Sequence, residues 1–204
     1  MNGDNEQYFS KRRPFMSQTA ETLALLDDRL RGLLRDYARR EPAHDALAAE
    51  FGTLLDDPED PFRRERLAGH FTASCWLVSA DGQRLLLTHH RKLQRWLQLG
   101  GHADGDRDLA QVALKEAEEE SGLSGLVLED PTIFDLDKHW IPERKDVPGH
   151  WHYDVRFVIR ALGGEAFVLS EESLDLAWRP VTEVAADPES DESMQRMARR
   201  WLAR

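Results

Sequence analysis

Glu116, Glu119 and Glu120 lie in the stretch 101–123, GHADGDRDLAQVALKEAEEESGL. On a helix they stand at i, i+3 and i+4, which sets three carboxylates on one face within reach of each other. Adjacent anions repel. A divalent cation that prefers oxygen ligands, Mg²⁺ or Mn²⁺, relieves that repulsion and keeps positions for water and for substrate phosphate. Such a site suits cleavage of a diphosphate linkage. Read alone, an acidic run of this kind is more often a solvated helix surface. Glu118 points to the opposite side of the same helix and carries no catalytic role.

What separates the two readings is the frame around the carboxylates. Asp108 with Gln111 forms a capping signal, and Gly122 supplies a left-handed stop, so Leu109–Ser121 is expected to be helical. Gly100 and Gly101 follow an alternating apolar stretch and deliver a tight turn ahead of the helix.

In that frame the segment resembles the Nudix box, the signature of the Nudix hydrolase superfamily. Gly101, Glu116, Glu119, Glu120, Gly122 and Leu123 match in register, and Ala117 weakly fills the aliphatic position. Arg107 stands where the box has its first glutamate, and Lys115 where it has its arginine, so a pair that is normally ionic is cationic at both ends. Asp104, Asp106 or Asp108 can restore a partner for either. The resemblance covers roughly residues 70–187. It implies an α/β fold, a Nudix-like α/β/α sandwich with a mixed β-sheet, here preceded by an α-helical N-terminal extension. It also implies a metal-dependent pyrophosphohydrolase that acts on a nucleoside diphosphate-X or a related small molecule, with Mg²⁺ or Mn²⁺ held by Glu116, Glu119 and Glu120. Two alternatives stay open. One is a non-catalytic nucleotide-binding sensor, which the changes at Arg107 and Lys115 encourage. The other is an isopentenyl diphosphate isomerase-like enzyme. Those enzymes share the fold and use a cysteine, a glycine and a metal-binding histidine where this chain has Gly100, Gly101 and His102, so the cysteine is missing.

Histidines are the second unusual feature. His89, His90, His102, His139, His150 and His152 surround the expected sheet edge and the box, and in a strand His150, His152 and Asp154 share one face. Imidazole prefers transition metals to Mg²⁺, so a separate zinc or manganese site competes with ordinary hydrogen-bonding roles. Arg91, Lys92, Arg95 and His102 are candidates to contact substrate phosphate. Trp96, Trp140 and Trp151 are candidates to stack on a base, whereas Trp178 reads as core. Glu143, between Pro142 and Pro148, is a weak candidate base beside the reading of a solvated loop acid.

The supporting elements follow from periodicity. Residues 1–17 read as disordered, 18–69 as a helical extension, and 70–204 as the main domain closed by a C-terminal helix. Leu23, Leu26, Leu30, Leu33, Leu34 and Tyr37 recur at helical spacing, and Ala46, Leu47, Phe51, Leu54 and Leu55 repeat the signal after Pro42. The antiparallel pair they form reads as a packing cap, or else as a dimer surface or substrate cover. Strands are expected at 71–79, 84–90, 96–99, 127–136, 153–162 and 176–179, and final helices at 181–187 and 192–202. The net charge of −11 argues against a nucleic-acid polymer as partner. The start of the chain lacks a long apolar run, which points to no membrane and, by default, to the cytoplasm. Cys75, the single cysteine, sits in an apolar run and reads as a buried core thiol. A two-fold homodimer through the helix pair remains open.

Overall fold

The computed structural model describes residues 19–91, 94–144, 147–169 and 173–204, so the segment 1–17 and Lys92 lie outside the described residues. Two helices come first, α1 (Ala20–Arg40) and α2 (Asp45–Leu55), joined by a 3-10 turn at Pro42–His44. Thr19 caps α1 by accepting from the Thr22 amide, and Arg39 and Arg40 occupy the last turn, where the helix dipole favours cations. The helices pack antiparallel. Arg31 of α1 pairs with Asp56 beyond the end of α2, while the Tyr37 hydroxyl meets His44 Nδ1 at 2.7 Å.

The rest of the chain runs β1 (His70–Val78), β2 (Arg84–His90), β3 (Arg95–Leu97), β4 (Gly100–His102), α3 (Leu109–Ser121), β5 (Leu126–Leu128), β6 (Asp135–Ile141), β7 (His150–Ala161), β8 (Ser173–Pro180), α4 (Val181–Ala186) and α5 (Glu192–Leu202). The strands form one mixed sheet in the order β3-β2-β1-β7-β5, with β4 also on β1, β6 on β7 and β8 on β2. β1 and β7 are parallel, in register from His70↔His152 to Val78↔Arg160, and they form the spine of the sheet.

Alternation along that spine sorts side chains into two cores. Phe71, Ala73, Cys75 and Leu77 of β1 and Val155, Phe157 and Ile159 of β7 face α3 and the N-terminal helices. Trp76, Val78 and Val158 face the other way, onto Val181 and Val184 of α4 and Met194, Met197 and Ala198 of α5. The result is an α/β/α sandwich with a mixed sheet and N-terminal helices. Leu30, Leu34, Tyr37, Phe51 and Phe62, which precede the sheet, belong to the same core as α3. Among the described residues, no helix is long and apolar enough to cross a membrane.

Three expected strand boundaries move. The stretch 127–136 is not one strand: β5 ends at Leu128 and β6 begins at Asp135. Between them Asp130 accepts from the Thr132 amide at 2.7 Å around Pro131, which cannot donate to a sheet. β7 begins at His150 rather than 153, and β6 runs on through His139 to Ile141, so polar residues expected in a loop lie on paired strands. The strand expected at 96–99 is β3, which ends at Leu97, and after a break a separate strand, β4, carries the glycine pair itself.

Candidate active site

α3 has the bounds its caps imply. Asp108 accepts from the Gln111 amide at 3.3 Å, and Gly122 takes the left-handed conformation, φ 66°, that ends the helix. The apolar face, Leu109, Ala110, Ala113 and Ala117, packs on the sheet. β4 lies antiparallel to β1, with Gly101 opposite Ala73, and brings the glycines up to the last turns of α3. The Gly100 amide donates to Glu120 Oε1 at 3.3 Å. A Cβ on Gly101 would fall 2.5 Å from Glu116 Oε2, so the carboxylate occupies the space that any other residue's side chain would need. Glu119 lies farther out, 61% exposed, with Lys115 Nζ at 3.5 Å. Lys115 also reaches Glu116 Oε1 at 3.8 Å. Oxygen donors packed beside a glycine strand suit Mg²⁺ or Mn²⁺.

The polar end of the other sheet face adjoins this glycine strand. His70, His102, His139, His150 and His152 converge there. His70 lies 5.2, 5.0 and 5.1 Å, centroid to centroid, from His102, His150 and His152, and His139 lies 5.4 Å from His152. Burial, reinforced by neighbouring imidazoles, pulls His152 down to about 2; burial, reinforced by Arg64 and by neighbouring imidazoles, pulls His102 to about 4, so both rings are neutral at neutral pH, and burial lowers His70 as well. His89 and His90 stay apart on β2, where His89 stacks on Trp96 at 5.1 Å. His70 was not among the expected histidines. Its signal was positional: it precedes Thr72 and Ser74 at strand spacing and therefore shares their face.

Asp154 shares that face but is otherwise engaged. It accepts from Thr72 Oγ1 at 3.0 Å, from Ser74 Oγ at 2.8 and 2.9 Å, and from Arg156 Nε at 2.7 Å. Arg156 is buried. Burial alone would lower its pKa, but Asp154, Asp137 and Asp135 outweigh it and hold the guanidinium charged.

The Nudix domain family model matches residues 69–201, well over half the chain. The chain belongs to the Nudix family. Solved structures show the same fold. An Ap4A hydrolase from C. elegans aligns with TM-score 0.50 at 16% identity, over 65% of this chain and 95% of that one. A MutT protein from Methanosarcina mazei gives 0.51 at 17%, over 68% and 96%. The E. coli dihydroneopterin triphosphate pyrophosphohydrolase gives 0.50 at 16%, over 66% and 96%. A comparison with curated proteins finds no match.

The departures of this Nudix box acquire a physical account. Arg107 does not pair with Asp104, Asp106 or Asp108. Its guanidinium donates to both oxygens of Asp27 on α1 at 2.7 and 2.9 Å, reaches Asp60 at 3.3 Å, and lies 4.6 Å from the centre of the Phe62 ring. Asp104 pairs with Arg64, and Asp108 with Arg29 at 3.3 Å. Every one of these partners precedes residue 69, where the family match begins, so the box is tied to the N-terminal helices and the loop that follows them.

Substrate candidates are placed less tightly. Arg91 and Arg95 are exposed at the β2–β3 turn, and Arg91 donates to the Ser173 carbonyl at 2.9 Å. Trp140 and Trp151 pair edge to face at 5.2 Å and are exposed, whereas Trp96 is half-buried and Trp178 packs against the core with its indole N–H on the Glu165 carbonyl. Glu143 is exposed. Cys75 is buried behind the box, and burial, with Glu120 and Asp154 nearby, pushes its thiol well up, away from the thiolate.

Proposed function

We propose that this chain is a divalent-metal-dependent pyrophosphohydrolase that cleaves the diphosphate linkage of a nucleoside diphosphate-X or a related small molecule. The observation that carries the reading is the carboxylate cradle: Glu116 pressed against Gly101, Glu120 held at the Gly100 amide, and Glu119 on the same face of α3. Glu116, Glu119 and Glu120 are the residues that would hold Mg²⁺ or Mn²⁺. Bound there, such an ion neutralises diphosphate oxygens and makes a water nucleophilic near neutral pH. The chain's own part is positional. The glycine strand leaves room for carboxylates and phosphate, the end of α3 fixes the acidic face, and Arg91, Arg95 and His102 supply polar contacts to the substrate. Trp140 and Trp151 offer an exposed aromatic pair for a base. The Nudix structures that align, an Ap4A hydrolase and a dihydroneopterin triphosphate pyrophosphohydrolase among them, are named for phosphoric anhydride substrates of this broad class.

The test is phosphate release from nucleoside triphosphates, nucleotide sugars, dinucleotides and isoprenoid diphosphates with Mg²⁺ or Mn²⁺, comparing the native chain with Glu120→Gln. Turnover is expected on part of the panel. The variant should lose more than about 100-fold, since even partners one layer out from a metal carry about 10–100-fold. Silence across the panel with retained nucleotide binding would replace the hydrolase with a sensor.

A further inference from the structure

We propose that His70, His150 and His152 form a second metal site, distinct from the box carboxylates, that takes one transition-metal ion of the zinc class. Among the described residues this is the trio whose ligand atoms all lie within 4.8 Å of one another. It is built from two parallel strands. His70 opens β1, His150 and His152 open β7, and His70 is in direct register with His152.

Hydrogen bonding sets which nitrogens face inward. His70 Nδ1 donates to the Arg66 carbonyl at 3.1 Å, and His150 Nδ1 donates to the Pro148 carbonyl at 2.8 Å. In a neutral ring that leaves each Nε2 with a lone pair, the tautomer in which backbone carbonyls orient metal-binding histidines. His150 Nε2 and His152 Nε2 stand 3.2 Å apart. Tetrahedral zinc, with Zn–N bonds of about 2.0–2.1 Å, sets neighbouring nitrogens about 3.3 Å apart.

A metal-free cluster leaves one group unexplained. If His152 donates to His150, that pair is satisfied, but His70 Nε2 is buried with no hydrogen-bond partner at all, in a residue only 2% exposed. A buried acceptor left without a donor costs about 1–3 kcal/mol. A cation shared by the three lone pairs removes that cost. Three imidazoles without a carboxylate form a donor set for zinc, copper or nickel rather than Mg²⁺. Arg64, whose charge reaches the rings, is paired with Asp104, which offsets part of its repulsion against a metal.

The site also has a place in the fold. It joins the chain just past the N-terminal extension to the start of β7. The His102 ring packs on His70 and His152 at 5.2 and 5.0 Å, immediately after box residue Gly101. An ion there would brace the strand that carries Gly100 and Gly101.

The experiment uses the full chain, freed of metal with a chelator and titrated with ZnSO₄ while imidazole ¹⁵N resonances are followed by NMR. One equivalent should shift the Nε2 signals of His70, His150 and His152 together and leave His44 and His89 in place. Co²⁺ should give the intense visible absorption of a tetrahedral centre. His70→Gln and His152→Gln should weaken Zn²⁺ binding more than about 100-fold. The wild-type spectra decide the matter even if either variant fails to fold. Unmoved cluster resonances, or shifts confined to other histidines, would overturn the site. Glu120→Gln should keep the Zn²⁺ response while losing Mg²⁺-dependent turnover, so the site and the hydrolase reading can fail separately.

Discussion

At the scale of single residues, the box is a problem of space and charge. Gly101 is required because Glu116 fills the volume a Cβ would take. Gly101→Ala is therefore expected to displace that carboxylate, raising the Mg²⁺ concentration for half-maximal turnover at least about 10-fold, while costing little stability. Metal titration of activity beside a thermal melt checks this; an unchanged requirement would show that Glu116 is not a ligand. Asp137 gives a pH prediction. Burial opposes its ionisation, but a hydrogen bond from His139 and the nearby charges of Arg156 and Arg196 outweigh burial and bring it from 3.8 to about 2, against the like charges of Asp135 and Asp154. A depressed carboxyl pKa contributes stability that is complete above the unfolded value and is lost as pH falls from about 3.8 through 2. Asp137→Asn should cost about 2 kcal/mol near neutrality and progressively less below pH 4, as read from urea midpoints. A constant difference across that range would rule out the charge as the cause. The α3 caps were legible in sequence because Asp108, Gln111 and Gly122 act within a turn of themselves. His70 was not, because its meaning depends on β7, about 80 residues away.

At the scale of elements, the extension and the box are one electrostatic unit. Arg107, 16% exposed, is gripped by Asp27 and Asp60, and Arg29 and Arg64 reach Asp108 and Asp104 in turn. Introducing the family's usual glutamate at this one position would set a third carboxylate against two. Arg107→Glu is expected to lower stability by about 2 kcal/mol, and Asp27→Arg in the same chain to recover much of it. Chemical denaturation of the single and double variants tests the coupling. If the two changes simply add, the pair is not a brace. None of this could be read from spacing, since the pairs span 40 to 80 residues. The strand errors have a different origin. Counting apolar residues ran a strand through Pro131 and missed the polar end of β6 and the polar opening of β7, whose histidines and aspartates are held by cross-strand pairing rather than by hydrophobicity.

At the scale of the molecule, the family match begins at residue 69, yet the core does not. Tyr37 and Phe51 are fully buried, Phe62 is 1% exposed, and Leu30 and Leu34 are 3% and 4% exposed, all in the cluster that contains α3 and β1. Phe71, the second residue of β1, packs between Phe51 and Phe62 at 6.1 and 4.9 Å. Polar links cross the same boundary. Tyr37 donates to buried Asp135 at 3.2 Å, and Arg40 donates to the Ile133 carbonyl at 2.8 Å. Each large apolar side chain so buried contributes about 1.5–3 kcal/mol, so these five supply more than about 7 kcal/mol. A whole domain is typically stable by about 5–15 kcal/mol. A chain cut to begin at residue 69 should therefore lose near-UV circular dichroism and cooperative melting, although it holds every box residue. The outcome separates two accounts of the extension. A detachable dimer surface or substrate cover would leave the shortened chain melting near the native temperature with altered assembly or KM. A cap that completes the core leaves no folded species whose kinetics could be compared, because the face of the sheet that carries α3 would stand half open to water.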